Sequence, residues 1–201
     1  MLKRKFVLDH TKILALLSSF MLILSLAPTA QAANRMTATL PAFPVTVNGQ
    51  VIENSSAQYP LFLYKDITYV PMTYNLCRFL GLVTAWDGAT STFSLRVSSV
   101  QGDYVPDTGH NRKSNTISIS RLSCNVAVNG VLIPLQDWQE EEYPLVSYND
   151  IVYFPLTFSN MQNFGWESSW DAVNGLVINL TREVDQNFLD WESTFVGTPL
   201  E

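Results

Sequence analysis

Histidine and cysteine are scarce in this chain, two of each in 201 residues. An imidazole- or thiolate-based metal centre needs more, and here His10 lies in the N-terminal segment while His110 stands alone in a polar stretch. Basic residues are also few, 12 Lys and Arg against 18 Asp and Glu, which removes the positive surplus that nucleic-acid binding requires. Long apolar runs are missing too. The best, Ile13 to Ala27, is interrupted by Ser18, Ser19 and Ser25 and stops at Pro28, short of the ~20 residues that cross a bilayer. There is no Gly-x-Ser-x-Gly elbow, phosphate loop or dinucleotide fingerprint. What is present is apolar: 47% hydrophobic residues, including five Trp, eight Tyr and eleven Phe, which excludes a disordered chain.

The first residues read as a targeting segment. Lys3, Arg4, Lys5 and Lys12 precede the apolar run, and Ala30-Gln31-Ala32 supplies the small-x-small site, so residues 1–32 are expected to be a signal peptide. Its removal leaves 169 residues with 8 basic and 17 acidic side chains, a net charge of −9. The expectation is a secreted protein, extracellular or associated with the cell wall, with no membrane span after cleavage. Such an anionic chain is repelled by polyanionic polymers and anionic headgroups, so surface binding has to be short-range. Export also raises the question of Cys77 and Cys124, 47 positions apart. They read as two small buried side chains, or as a disulfide formed in an oxidising compartment.

The remaining chain repeats. Tyr59 to Tyr74 (YPLFLYKDITYVPMTY) aligns without gaps to Tyr143 to Phe158 (YPLVSYNDIVYFPLTF), identical at nine of sixteen positions. The offset of 84 also pairs Gly81 with Gly165 and Trp86-Asp87 with Trp170-Asp171, while Val45-Thr-Val-Asn48-Gly49 matches Val126-Ala-Val-Asn129-Gly130 at an offset of 81. The repeats span residues 37–98 and 116–182. Residues 99–115, rich in Gly, Pro and Asp, read as a linker, and 183–201 as an acidic tail, a short helix or docking segment with Phe188, Leu189 and Trp191 as its apolar cluster.

Each marker has a local meaning. Asn-Gly between alternating runs predicts a type I′ hairpin, whose two central residues need positive φ. A second hairpin turns at Lys65-Asp66 and again at Asn149-Asp150. Pro71 and Pro155 end strands and suit the first turn of a helix. Met72, Leu76 and Leu80 form its apolar stripe and Gly81 its C-terminal stop; the second copy has Asn160 in place of Leu76. Two strands follow, the first ending in Trp-Asp. In Ile151 to Phe154 both faces are apolar, as in a strand covered on both sides. The expected fold class is α+β: two tandem modules, each a curled antiparallel sheet of about five strands around one short helix, packed on one another.

The pattern of Val47-Asn48-Gly49, YPLFLYKDITYVP, a short helix closing on Gly81, Trp86-Asp87 and a final strand resembles the copper amine oxidase N-terminal-domain-like, or stalk, module of exported Gram-positive bacterial proteins. Both repeats carry it. The resemblance implies an antiparallel sheet wrapped around a helix and an accessory role without enzymatic activity. The catalytic domain with copper and the tyrosine-derived quinone has no counterpart here, so no cofactor, metal or catalytic residue is expected.

Other chemistry has plainer explanations. Asp66, Asp87, Asp150 and Asp171 recur at turns, where Asp serves the backbone, although paired carboxylates are also the apparatus of glycoside hydrolysis. Asp137 with Glu140, Glu141 and Glu142 lacks the oxygen spacing of a calcium loop and reads as a solvated charged loop. The repeated aromatics read as core and inter-module seam, or as surfaces that stack on sugar rings. Trp86, Trp138, Trp166 and Trp170 are the candidate ligand contacts, with Trp138, beside the acidic loop, expected to be the exposed one. The leading expectation is a scaffold or binding domain at the cell envelope. Its partners would be wall or extracellular glycan, or another envelope protein. The alternative is a carbohydrate-binding or weakly carbohydrate-active protein, and a third is pairing through an exposed sheet edge.

Overall fold

A computed structural model describes residues 35–109, 114–135, 137 and 141–181. The expected signal peptide, residues 1–32, and the acidic tail, residues 183–201, lie outside the described residues. The first repeat contributes β1 (Arg35–Thr39), β2 (Val45–Val47), β3 (Gln50–Val51), β4 (Phe62–Tyr64), β5 (Ile67–Pro71), α1 (Tyr74–Phe79), β6 (Leu82–Asp87) and β7 (Thr92–Val97). The second contributes β8 (Thr116–Arg121), β9 (Asn125–Val128), β10 (Val131–Ile133), β11 (Val146–Tyr148), β12 (Ile151–Pro155), α2 (Phe158–Phe164), β13 (Trp166–Asp171) and β14 (Gly175–Leu180).

The hairpin chemistry operates as the sequence demands. Asn48 and Gly49 have φ of 48° and 77°, and Asn129 and Gly130 have 51° and 84°. Lys65-Asp66 and Asn149-Asp150 form equivalent turns with both residues at positive φ, at a cost that Asp and Asn tolerate best among residues with a Cβ. Thr73 and Thr157 cap the helices, their side chains accepting from the N–H of Leu76 and Asn160. Gly165 closes α2 in the left-handed conformation, and Gly81 has a φ of 62° after α1.

The strands do not assemble into two α+β modules. The fold is mostly β, with a closed six-stranded antiparallel barrel in the order β1-β4-β5-β12-β11-β8, half of it from each repeat. The two remaining sheets are crossed. β9 and β10 of the second repeat extend β6 and β7 of the first, through the parallel pair β7–β9. Conversely, β2 and β3 of the first repeat extend β13 and β14 of the second, through the parallel pair β14–β2. This overturns the expectation of separate curled sheets, each wrapped on its own helix. The physical reason is that a strand pairs by pattern and register, and each repeat offers the other a hairpin of the same pattern.

The register carries an approximate two-fold symmetry. Thr37 lies opposite Ser118, its equivalent at the offset of 81, and Val70 lies opposite Phe154, its equivalent at 84. Matching hydrogen bonds run between the repeats: Met72 N–H to Val152 O at 2.8 Å, and Leu156 N–H to Thr68 O at 2.8 Å. The Asn-Gly turns serve the crossing directly. Asn48 Oδ1 accepts from Leu180 N–H at 2.9 Å, and Asn129 Oδ1 accepts from Val97 N–H at 3.0 Å, so each turn holds the last strand of the other repeat.

Two apolar clusters fill the body. The barrel interior contains Ala38, Phe62, Tyr69, Ile117, Ile119, Val146 and Tyr153. Phe62 stacks on Tyr153 with centroids 4.5 Å apart and on Tyr69 at 5.4 Å, and the Tyr69 hydroxyl donates to Pro144 O at 3.1 Å. Outside the barrel a larger cluster joins β5, β12, the helices and both crossed sheets, and it mixes the repeats: Val45 and Val47 share it with Ile178, as Val126 and Val128 do with Leu95. β12 is covered on both sides, Tyr153 in the barrel cluster and Val152 and Phe154 in the outer one, as its sequence requires.

Candidate functional site

The candidate tryptophans divide by burial. Trp166 opens β13, is 5% exposed, and packs on Phe164 with centroids 5.0 Å apart, so it is a core residue and not a ligand contact. Its equivalent at the offset of 84 is Leu82, also buried, a comparison that would have marked it as core from sequence. Trp86 and Trp170 stand apart, 59% and 57% exposed, at equivalent positions near the ends of β6 and β13. Trp138 lies outside the described residues.

Each exposed tryptophan is placed by the hairpin that carries it. Trp86 lies opposite Phe93 across β6–β7, and Trp170 opposite Leu176 across β13–β14. Directly opposed residues of a pair share one face of the sheet, so each indole sits at the rim of the face that covers the core. Their surroundings differ. The Trp170 ring meets Phe43 edge-on, with centroids 4.4 Å apart and planes at 78°. At the offset of 81 the counterpart of Phe43 is Cys124, half-buried, so Trp86 has no equivalent aromatic partner from that position.

The neighbouring carboxylates belong to their turns. Asp87 accepts from Ala89 N–H at 2.8 Å and from the Thr90 hydroxyl at 2.6 Å. Asp171 accepts from Val173 N–H and Asn174 N–H at 2.8 and 2.7 Å, and from the Asn174 amide at 2.8 Å. The Thr90 hydroxyl holds the Asp87 carboxyl below its ordinary range, and the Asn174 backbone and side-chain donors do the same for Asp171. A carboxylate so held is a poor general acid, which requires a raised pKa. The two also sit on different sheets, the β6–β7 hairpin and the β13–β14 hairpin. Asp66 and Asp150 occupy the left-handed second position of their turns and are exposed.

The sulfur chemistry is quiet. Cys77 is buried in α1 beside Met72, with Sγ and Sδ 3.7 Å apart, and Cys124 precedes β9; both are free thiols. Burial pushes both thiols up, away from the thiolate that nucleophilic or redox chemistry needs. His110 and Glu140 lie outside the described residues, while Glu141 and Glu142 are exposed. Among the described residues no three His, Cys, Asp or Glu side chains gather as a metal site, and no helix is long and apolar enough to cross a membrane.

Two further exposed aromatics escaped the sequence reading. Tyr74 and Phe158, 49% and 71% exposed, are the equivalent first residues of α1 and α2. The signal was their place directly after the capping threonines at the shared offset of 84. The Arg78 guanidinium lies 5.6 Å from the Tyr74 ring centre. No family model, curated protein or solved structure matches this chain.

Proposed function

We propose that this protein is a secreted, non-enzymatic binding or scaffold domain of the cell envelope that contacts neutral glycan through Trp86 and Trp170. The observation that carries the proposal is the duplicated, solvent-facing indole, held at equivalent positions by two hairpins of one body. Exposed indoles cost free energy in water, and their flat apolar faces suit the CH-bearing face of a sugar ring. The acidic balance of the chain favours an uncharged polymer over a polyanion. The hydrogen bonds that keep Asp87 and Asp171 ionised support binding over hydrolysis. The resemblance of the repeat motif to stalk modules supports the same accessory role.

The test is retention of the protein on peptidoglycan and on a panel of soluble neutral glycans, with tryptophan fluorescence as readout. Trp86→Ala and Trp170→Ala are each expected to weaken binding about tenfold, the scale of a truncated interface hot spot, while leaving the thermal midpoint close to that of the parent. Absence of binding across the panel would sink the glycan contact. Release of reducing sugar that is lost in Asp87→Asn or Asp171→Asn would sink the non-enzymatic reading.

A further inference from the structure

The two exposed indoles stand at opposite ends of the body. β1 and β8 run antiparallel in the barrel wall, with Thr39 opposite Thr116 and Arg35 opposite Ser120, so the chain leaves these strands in opposite directions. At one exit Leu40 N–H donates to Asn115 O at 2.8 Å, and at the other Arg121 lies opposite Val146. Asn115 and Arg121 are six positions apart, so the exits are separated by about 20 Å at ~3.4 Å per residue. Each exit leads to one tryptophan. Beyond Leu40, the Phe43 ring meets Trp170, and Pro44 O accepts from Leu176 N–H. Beyond Arg121, Cys124 precedes Asn125, which pairs with Thr92, the residue opposite Asp87.

Between these ends the bases of the two hairpins adjoin. Asn129 holds Val97 at the base of β6–β7, and its amide donates to Asn163 O at 3.2 Å near the end of α2. Two residues on, Gly165 O accepts from Thr181 N–H beside the base of β13–β14. From there Trp86 lies four positions along β6 from Leu82, and Trp170 four along β13 from Trp166, about 14 Å in each case. Both hairpins belong to sheets built from both repeats, so the fold and not a flexible linker fixes the spacing of the indoles. A sugar ring stacked on Trp86 is out of reach of Trp170. A single strand running from one to the other meets them in opposite senses, because a two-fold reverses any line drawn between the sites it relates and a glycan strand has direction.

We propose that the protein is bivalent and bridges two neutral glycan strands, one stacked on Trp86 and one on Trp170. The inference rests on the glycan reading of these indoles and adds what their placement does. On a polymer the two contacts act together, since binding at one raises the local concentration of sugar at the other only where a second strand lies near.

The probes are cellohexaose and chitohexaose, with hydroxyethylcellulose and glycol chitin as their long soluble counterparts. Calorimetry is expected to count two hexasaccharides per chain for the parent, one for Trp86→Ala or Trp170→Ala, and none for the double variant. The site left in each single variant is expected to keep its hexasaccharide affinity within about twofold, while retention on the polymer falls about tenfold through lost avidity. Parent protein is expected to raise the light scattering of the polymer and to lower it again in excess. Neither single variant raises it, nor does an equal mixture of the two. One hexasaccharide per chain, lost in both single variants, would mean that one strand spans both indoles and would overturn the proposal. Single variants that scatter as strongly as the parent would overturn it too. A parent that binds the probes without bridging removes this inference alone, whereas a parent that binds none of them removes the glycan reading as well.

Discussion

The first and second repeats differ least where they exchange strands and most where they do not. The Asn-Gly turns, the parallel pairs and the barrel registers obey one approximate two-fold, so the crossing uses the same contacts twice. The hairpins that carry the tryptophans depart from it. Four residues separate Asp87 from its partner Thr92, and three separate Asp171 from Gly175. The lesson is that the features shared by the repeats are those that hold them together, and the flanks were free to diverge.

The shorter loop brings the largest expected effect. Gly175 has a φ of 70°, and a Cβ there would lie 2.2 Å from Pro44 O, at the point where Leu176 N–H bonds that same carbonyl at 3.0 Å. Gly175→Ala is therefore expected to destabilise by about 2–5 kcal/mol, combining left-handed strain with overpacking. Thr92→Ala at the equivalent site is expected to cost roughly 1 kcal/mol, since a side chain already fits there. Denaturant melts of both variants check the difference, and equal losses would break the comparison.

The turns come next. Asn48→Ala and Asn129→Ala each remove the acceptor for a strand of the other repeat, at about 1–3 kcal/mol. Asn129 is expected to be the costlier of the two. Its amide also donates to Asn163 O at 3.2 Å, whereas the buried Asn48 amide has no partner among the described residues. The smallest effect concerns acid. The Asp87 and Asp171 carboxyls have folded pKa values below their ordinary ones, so their contribution is complete above the unfolded pKa and is lost as pH falls through the folded one. Replacing both with Asn is expected to flatten the acid limb of the thermal midpoint below about pH 4, with little change at neutral pH.

Much of the local structure was legible in the sequence. Asn-Gly located two hairpins, Pro71 and Pro155 closed two strands, and the stripe of Met72, Leu76 and Leu80 found α1. The closing strands β1 and β8 were missed, although the alternation of Ile117 and Ile119 marks β8 as half-buried. The crossing itself was illegible for a physical reason. A hairpin around Asn48-Gly49 and one around Asn129-Gly130 present nearly the same face, so local pattern does not tell which sheet each one joins. Of the candidate site, the exposure of Trp86 and Trp170 depended on their place at the end of a hairpin, beyond the reach of the core. Hydrophobicity alone gave them the same standing as Trp166.

The central claim is that the repeats form one interlocked body. Its direct test is to cut the chain between Gly109 and Ser114, separate the halves under denaturant, and refold them alone and together. Each half carries strands that lack their partners without the other, and each is near the size at which a single core fails to hold. The expected result is that neither half alone shows a cooperative melt, and that the mixture recovers a one-to-one complex with a single transition. Two halves that fold separately, with a mixture equal to their sum, would contradict the crossed architecture.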